Sequence, residues 1–294
     1  MLLLVISVVL PILITVGIGF VWTRLGYKLD SRDLTALIAD VATPCLVIST
    51  FQTSRLSFEA FTAMAAAAGT AIACFAGIGA LLLWATGLRI RTFLPSISFP
   101  NAGNLGLPLS LYAFGPEGLG YAIAFFSISS VANYTLGQAI AAGQANWRGL
   151  VRLPLLYAVA IGIALSFWKI ELPSPIDKTI TLIGNLTVPL MLLMLGASLS
   201  RLKVSSFGRA TAVSAVRIGG GALVGVLVAM LFDLAGSMKA VLILQSANPV
   251  AVYNYLFAQR WNNEPEEVAG VVVLSTVASI VTIPLLLVWL TTSP

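Results

Sequence analysis

The chain has 294 residues, 59% of them hydrophobic and 9% charged, with a mean hydropathy of +0.99. Soluble domains carry about a quarter charged residues, so that class is excluded and a polytopic membrane protein is indicated. The net charge of +5 is no nucleic-acid footprint here, because basic residues in such a chain report loop topology.

At about 20 apolar residues per crossing, ten spans are predicted: Leu3–Val21, Leu34–Phe51, Phe58–Trp84, Leu94–Phe114, Leu119–Ala141, Val151–Ile170, Ile180–Leu199, Phe207–Phe232, Met238–Ala258 and Val268–Thr291. Met1 to Trp22 lacks a positive flank and its apolar run exceeds a signal-peptide core, so it reads as a retained first span. Connections are short and rich in Gly, Pro, Asn and Ser, with no soluble domain or long linker. Cys45 and Cys74 fall inside spans and read as packing residues. Trp22, Trp84, Trp147, Trp168, Trp261 and Trp289 lie at or near span ends, as interfacial anchors do.

The halves repeat in order. Pro11-Ile12-Leu13 returns as Pro154-Leu155-Leu156, Asp40-Val41-Ala42-Thr43-Pro44 as Asn185-Leu186-Thr187-Val188-Pro189, Pro100 as Pro249, and Pro116-Glu117 as Pro265-Glu266. The offset grows from 143 through 145 to 149, as insertion in loops would produce. With five spans per half, the second copy enters the membrane upside down, giving an inverted repeat of 1–142 against 150–294. Arg24, Lys28, Arg32, Arg89, Arg91, Arg148, Arg152, Arg201, Lys203, Arg209 and Arg260 follow odd-numbered spans, whereas the opposite side holds Arg55, Lys169, Lys178 and Lys239. The basic side is therefore read as cytoplasmic and both termini as external.

Two stretches stand out, Ser98 to Asn104 and Gln245 to Asn254, each placing a proline beside asparagine at mid-span. Proline removes a helical donor and opens the preceding turn, and opened backbone is tolerated at membrane depth only when buried in protein or lining a wet cavity. Paired interruptions in corresponding spans point to a transporter's binding site. Asn248-Pro249 reads as an N-cap and first helical residue, so a half-helix is expected to begin there with its amides aimed at the midplane. In the first half Ser98 or Asn101 is expected to serve the opened backbone. Pro100, Asn101, Asn104, Gln245, Asn248, Pro249, Tyr253 and Asn254 are the candidate substrate contacts. The plainer reading is a pair of helix kinks, each satisfied by its asparagine.

Two charges lie inside spans. Asp40 is read either as a proton-accepting or substrate-orienting carboxylate, or as a structural group that caps a neighbouring helix or is neutralised by Arg217. Arg217, beside Gly219-Gly220-Gly221, either neutralises Asp40 or supplies positive charge to an anionic substrate. Ser127, Asn133, Gln138, Ser275, Thr276 and Ser279 are weaker candidates, since hydroxyls in spans mostly bond their own helix. Enzyme signatures are lacking: the absence of histidine removes HExxH and Ser-His chemistry, Asp40 has no intramembrane acidic partner, and there is no Walker A loop. No metal ligand set or cofactor is indicated, and the coupling ion, proton or sodium, stays open.

Pro100-Asn101-x-x-x-x-Gly106-x-Pro108-Leu109, with Ala247-x-Pro249 followed by Phe257-Ala258 and Asn262-x-x-Pro265-Glu266, resembles the auxin efflux carrier family, which includes plant PIN carriers and bacterial malonate-type carriers. The resemblance covers essentially the whole chain. It implies an all-α membrane protein of ten transmembrane helices in two inverted five-helix repeats, with broken helices 4 and 9 crossing, as in the distantly related bile acid sodium symporters. It also implies a homodimer moving organic anions by an elevator-like motion of helices 3–5 and 8–10 against a scaffold of helices 1, 2, 6 and 7. Plant members carry a long loop between halves, where this chain has about ten residues. The expectation is a secondary carrier of a small organic carboxylate in a bacterial cytoplasmic membrane; the rival is a membrane receptor or scaffold without turnover.

Overall fold

The computed structural model describes residues 2–27, 29, 32–54, 56–143 and 153–292. Among them every regular element is helical apart from one isolated antiparallel bridge between Pro100 and Val250. An apolar chain with no water beside it must satisfy its amides and carbonyls internally, and the helix does this segment by segment. Lys28, Arg55, Trp147, Arg148, Arg152 and the join between the halves lie outside the described residues, as does the Arg32 side chain.

The first half runs α1 (Leu2–Arg24), α2 (Arg32–Leu37), a π-helical turn over Ile38–Ala42, α3 (Thr43–Ser54), α4 (Phe58–Thr86) and α5 (Ile90–Ser98). A second π turn, Ala102–Gly106, leads into α6 (Leu107–Ala132), and a third, Asn133–Gly137, into α7 (Gln138–Ala142). The second half comprises α8 (Pro154–Phe167), α9 (Ser174–Gly184), α10 (Thr187–Arg201), α11 (Phe207–Leu231), α12 (Gly236–Ser246), α13 (Val252–Arg260) and α14 (Pro265–Thr292). Local chemistry sets the boundaries. Ser57 accepts the Ala60 amide at 3.1 Å to open α4, and Gly87, at φ 69°, closes it in the left-handed conformation glycine allows.

Seven helical stretches among the described residues are long and apolar enough to cross a bilayer. One of them, 102–142, has 41 residues, about 60 Å of helix and twice the hydrocarbon thickness. Gly115, at φ 65° and ψ −160°, divides it into two helices inside α6. The spans expected at Leu94–Phe114 and Met238–Ala258 are not continuous helices: the first is cut after Ser98 and the second after Ser246.

Packing is heaviest within two groups of helices. In one, α1 lies along α10, and α3 along α8 and α9; in the other, α4 packs on α5, α6 and α11, and α11 on α12 and α14; α1 and α3 join the groups through α6 and α14. Outward faces carry exposed Leu81, Leu227, Leu231, Val281 and Leu285, the surface a lipid-facing helix presents. The α1–α10 contact is backbone against backbone. A Cβ on Gly19 would meet the Leu193 carbonyl, and one on Gly196 would meet the Val16 carbonyl, whereas nothing lies within 4 Å of a Cβ on Gly17.

Replacing Gly196 by leucine is therefore expected to destabilise the detergent-solubilised protein by about 1–3 kcal/mol through overpacking, read as a lowered melting temperature. Gly17→Ala serves as the control and is expected to melt as wild type.

Candidate functional site

The two helix interruptions meet. Asn101 donates its amide to the Pro249 carbonyl at 2.7 Å, and Ala251 donates to the Phe99 carbonyl at 3.2 Å, so each broken segment satisfies the other. Val250 donates to Ser275 Oγ on α14 at 3.1 Å. These bonds replace the intrahelical ones that Pro100 and Pro249 remove. The exchange sets Pro100 opposite Val250, a separation of 150 rather than the 149 between the two prolines. The bridge thus falls one residue beyond Pro249.

That slip corrects the reading of Asn248-Pro249. The second half-helix starts at Val252 after an extended Ala251 (φ −66°, ψ 134°), and no side chain caps it. Asn248 sits instead just beyond the end of α12, because Pro249 and Val250 are drawn out to bridge Phe99–Asn101. Neither Ser98 nor Asn101 caps the first break with its side chain; main-chain groups do so.

A polar layer lies behind the crossing. Asn248 Nδ2 donates to Gln245 Oε1 at 3.2 Å, and Gln245 Nε2 to Ser110 Oγ at 3.5 Å. Gly106 admits this pair: a Cβ there would collide with Gln245 Oε1 and approach Asn248 Nδ2. Asn254 Nδ2 donates to the carbonyls of Pro95 at 3.1 Å and Phe99 at 3.3 Å, fixing α13 to the end of α5. Arg217, fully buried, donates to the carbonyls of Ile97, Ser246 and Asn248 and forms no ion pair with Asp40 or any other described residue. The neutralisation of Asp40 by Arg217 is therefore overturned.

In front of the crossing lies a cavity of about 460 Å³, within the size range of small-molecule sites. It opens between the two helix groups. One wall comes from Thr35, Ile38 to Asp40, Thr43, Leu153 to Leu155, and Met191, Met194, Ser198 and Arg201 of α10; the other from Pro100 to Asn104, Phe126, Ser129, Ser130, Asn133, Tyr134, Ala251 to Tyr253, Tyr255, Leu256 and Gln259. All three π turns contribute to the lining, with Asp40, Asn104 and Asn133 among their residues. A π turn widens a helix locally and is frequent at functional sites.

Asn101 is 4% exposed and its Nδ2 is without a hydrogen-bond partner; Thr43 Oγ1 and Asn133 Oδ1 are likewise buried and unpartnered. The first turns beyond each break, 102–104 and 252–253, also line the cavity, and a helix's first amides lack intrahelical partners. Together they give the crossing face donors suited to an anion. Asp40 is exposed on the opposite wall, so hydration rather than an ion pair meets the cost of its charge. Tyr134 and Tyr253 stack edge to face at 5.7 Å with their hydroxyls hydrogen-bonded, close enough for the Asp40 charge to act on both.

Of the residues singled out from sequence, Pro100, Asn101, Asn104, Tyr253 and Asp40 line this cavity. Gln245, Asn248, Pro249, Asn254 and Arg217 do not; they hold the crossing from behind. Ser127, Thr276 and Ser279 bond carbonyls of their own helices. Sequence reasoning missed Thr43, Tyr134, Gln259 and Arg201 as lining residues. Arg201 was counted only as a loop charge, although Met194, Ser198 and Arg201 recur at helical spacing on one face of α10.

A family model described as membrane transport protein matches residues 4–146 and 138–287. An uncharacterized transporter of Methanothermobacter thermautotrophicus is 25% identical over 290 residues, covering 94% of this chain and 95% of the relative. Another, from Methanocaldococcus jannaschii, is 26% identical over 300 residues, covering 95% and 96% respectively. Auxin efflux carrier component 1 of Arabidopsis thaliana is 28% identical over 134 residues, 43% of this chain and 22% of the plant protein.

Because Gly106 faces the Gln245–Asn248 pair, Gly106→Ala is expected to push that pair out of place and cost about 1–3 kcal/mol. The check is a drop in melting temperature that Gly77→Ala does not produce, since nothing lies within 4 Å of a Cβ at Gly77.

Proposed function

This chain belongs to the membrane transport protein family, of the auxin efflux carrier type, and we propose that it is a secondary carrier of a small organic carboxylate. The observation that carries the proposal is the position of the cavity, between two helix groups, with the unpartnered Asn101 amide and the first turns of two half-helices on one wall. A carboxylate there accepts hydrogen bonds from Asn101, Thr43 and orphan amides, with Asn104 and Tyr253 alongside and Arg201 toward the rim. Gln245, Asn248 and Asn254 act as supports. Asp40 is the group through which proton coupling would act.

In this reading the chain crosses the membrane ten times as two inverted five-helix repeats, 1–142 and 150–294. Helices 4 and 9 are the broken pair: α5 with the first arm of α6, and α12 with α13. Helices 3–5 and 8–10 carry the substrate past a scaffold of helices 1, 2, 6 and 7, in an elevator-like motion. Support for two bodies comes from the heavier packing within each set, α1 on α10 and α3 on α8 and α9 in one, α4, α5, α6, α11, α12 and α14 in the other, than across them. Thr35, Leu153, Arg201 and Gln259 on the cavity wall are near the basic loops in sequence, which supports an inward-facing conformation in a cytoplasmic membrane with both termini outside. The protein works as a homodimer.

The test is uptake of radiolabelled mono- and dicarboxylates into proteoliposomes, which also separates a carrier from a receptor without turnover. Asn101→Ala is expected to lower uptake about 10- to 100-fold, the loss of one hydrogen bond to a charged group worth about 1.5–3 kcal/mol, without shifting the melting temperature. Uptake unchanged in this variant would remove the crossing from substrate binding.

A further inference from the structure

We propose that Arg217 is a built-in cation that neutralises the crossing, standing where a bound metal cation would otherwise be required, and that it is not a substrate ligand. The inference rests on the carrier reading and deepens it by assigning the source of positive charge at the crossing.

Four observations converge. Arg217 extends from the middle of α11 and is 0% exposed. Its guanidinium donates to the Ile97 carbonyl at 2.5 Å, to the Ser246 carbonyl, and through Nε to the Asn248 carbonyl at 3.3 Å. Ile97 is the penultimate residue of α5 and Ser246 the last of α12, so one cation joins the carboxyl ends of both helices that stop at the crossing. The fourth side is closed by Phe75, whose ring centroid lies 4.1 Å from the guanidinium carbon.

The charge arithmetic explains the arrangement. Each helix carboxyl end carries roughly half a negative charge on carbonyls that lack intrahelical donors. Two such ends facing one another in an apolar interior amount to about one negative charge, which a single guanidinium balances. Burying a cation with no carboxylate partner is otherwise strongly unfavourable. In discontinuous transporter helices, unwound carbonyls and half-helix carboxyl ends are the groups that coordinate sodium or protons. Here a side chain fixed to α11 holds that place, and the planar fork of arginine reaches three carbonyls on two elements as an ammonium does not.

These partners belong to α4, α5, the end of α12 and Asn248 just beyond it, and Arg217 does not line the cavity. The charge therefore travels with the crossing and stays separate from the site where an anion would sit.

The experiment compares wild type, Arg217→Met and Arg217→Lys in choline, sodium and methylguanidinium chloride at equal ionic strength. Wild type is expected to melt at the same temperature in sodium and choline. R217M is expected to melt about 10 °C lower, as loss of a buried charge partner predicts, with methylguanidinium recovering part of the difference and choline none. Selective stabilisation of wild type by sodium, or an R217M variant that melts as wild type, overturns the proposal. If R217M cannot be purified, R217K decides: a lysine variant that is recovered folded and melts below wild type supports a charge requirement, and a lysine variant lost as completely as methionine overturns it. In proteoliposomes, wild-type uptake is expected to be equal within about twofold in sodium and choline; tenfold stimulation by sodium overturns the role of Arg217 while leaving a carrier. Absence of carboxylate uptake in every salt refutes the carrier reading instead, and the melting series then decides Arg217 by itself.

Discussion

Two main-chain hydrogen bonds, Asn101 to Pro249 and Ala251 to Phe99, are the constraint on which the rest of the structure depends. Opened backbone inside an apolar protein must find partners, because each unpaired group there costs as much as a lost hydrogen bond. Each break is the nearest source of what the other lacks, and the surrounding residues follow from holding them in register. Ser275 receives the Val250 amide, Asn254 donates a further bond to the Pro95 and Phe99 carbonyls at the end of α5, and Gly106 lets Gln245 and Asn248 close in from behind.

Polar chemistry is consequently divided by the crossing. Behind it, charge is compensated by carbonyls and an aromatic face, with Arg217 sealed from the cavity. Before it, Asp40, Asn101 and Arg201 face the open space between the two helix groups. A ligand arriving in the cavity meets donors whose positions are set by a layer it never touches. The site's geometry thus depends on residues that contribute nothing to its surface.

The membrane class, the helical content and the place of both interruptions were legible because each has a strong local cause: composition for the first two, proline beside asparagine at mid-span for the third. What failed to show depended on tertiary geometry. Asn248-Pro249 has the chemistry of a helix start, yet the bridge to Phe99–Asn101 outweighs capping preference and moves the start to Val252. The pairing of Arg217 with Asp40 was reasonable for two buried charges of opposite sign, but it assumed both were buried; Asp40 is wet, and helix ends supply negative charge that no sequence letter records. Arg201 was hidden by its place at a span end, where a basic residue already has a topological explanation.

Gly115 is the only residue inside α6 that departs from helical geometry. There is no slack loop between the arm that begins at the crossing and the arm that leads to Asn133 and Tyr134. Two parts of the cavity wall separated by some thirty residues of chain are accordingly carried on two arms that share a single glycine joint, the one place where a change in the angle between them can be taken up by backbone rotation.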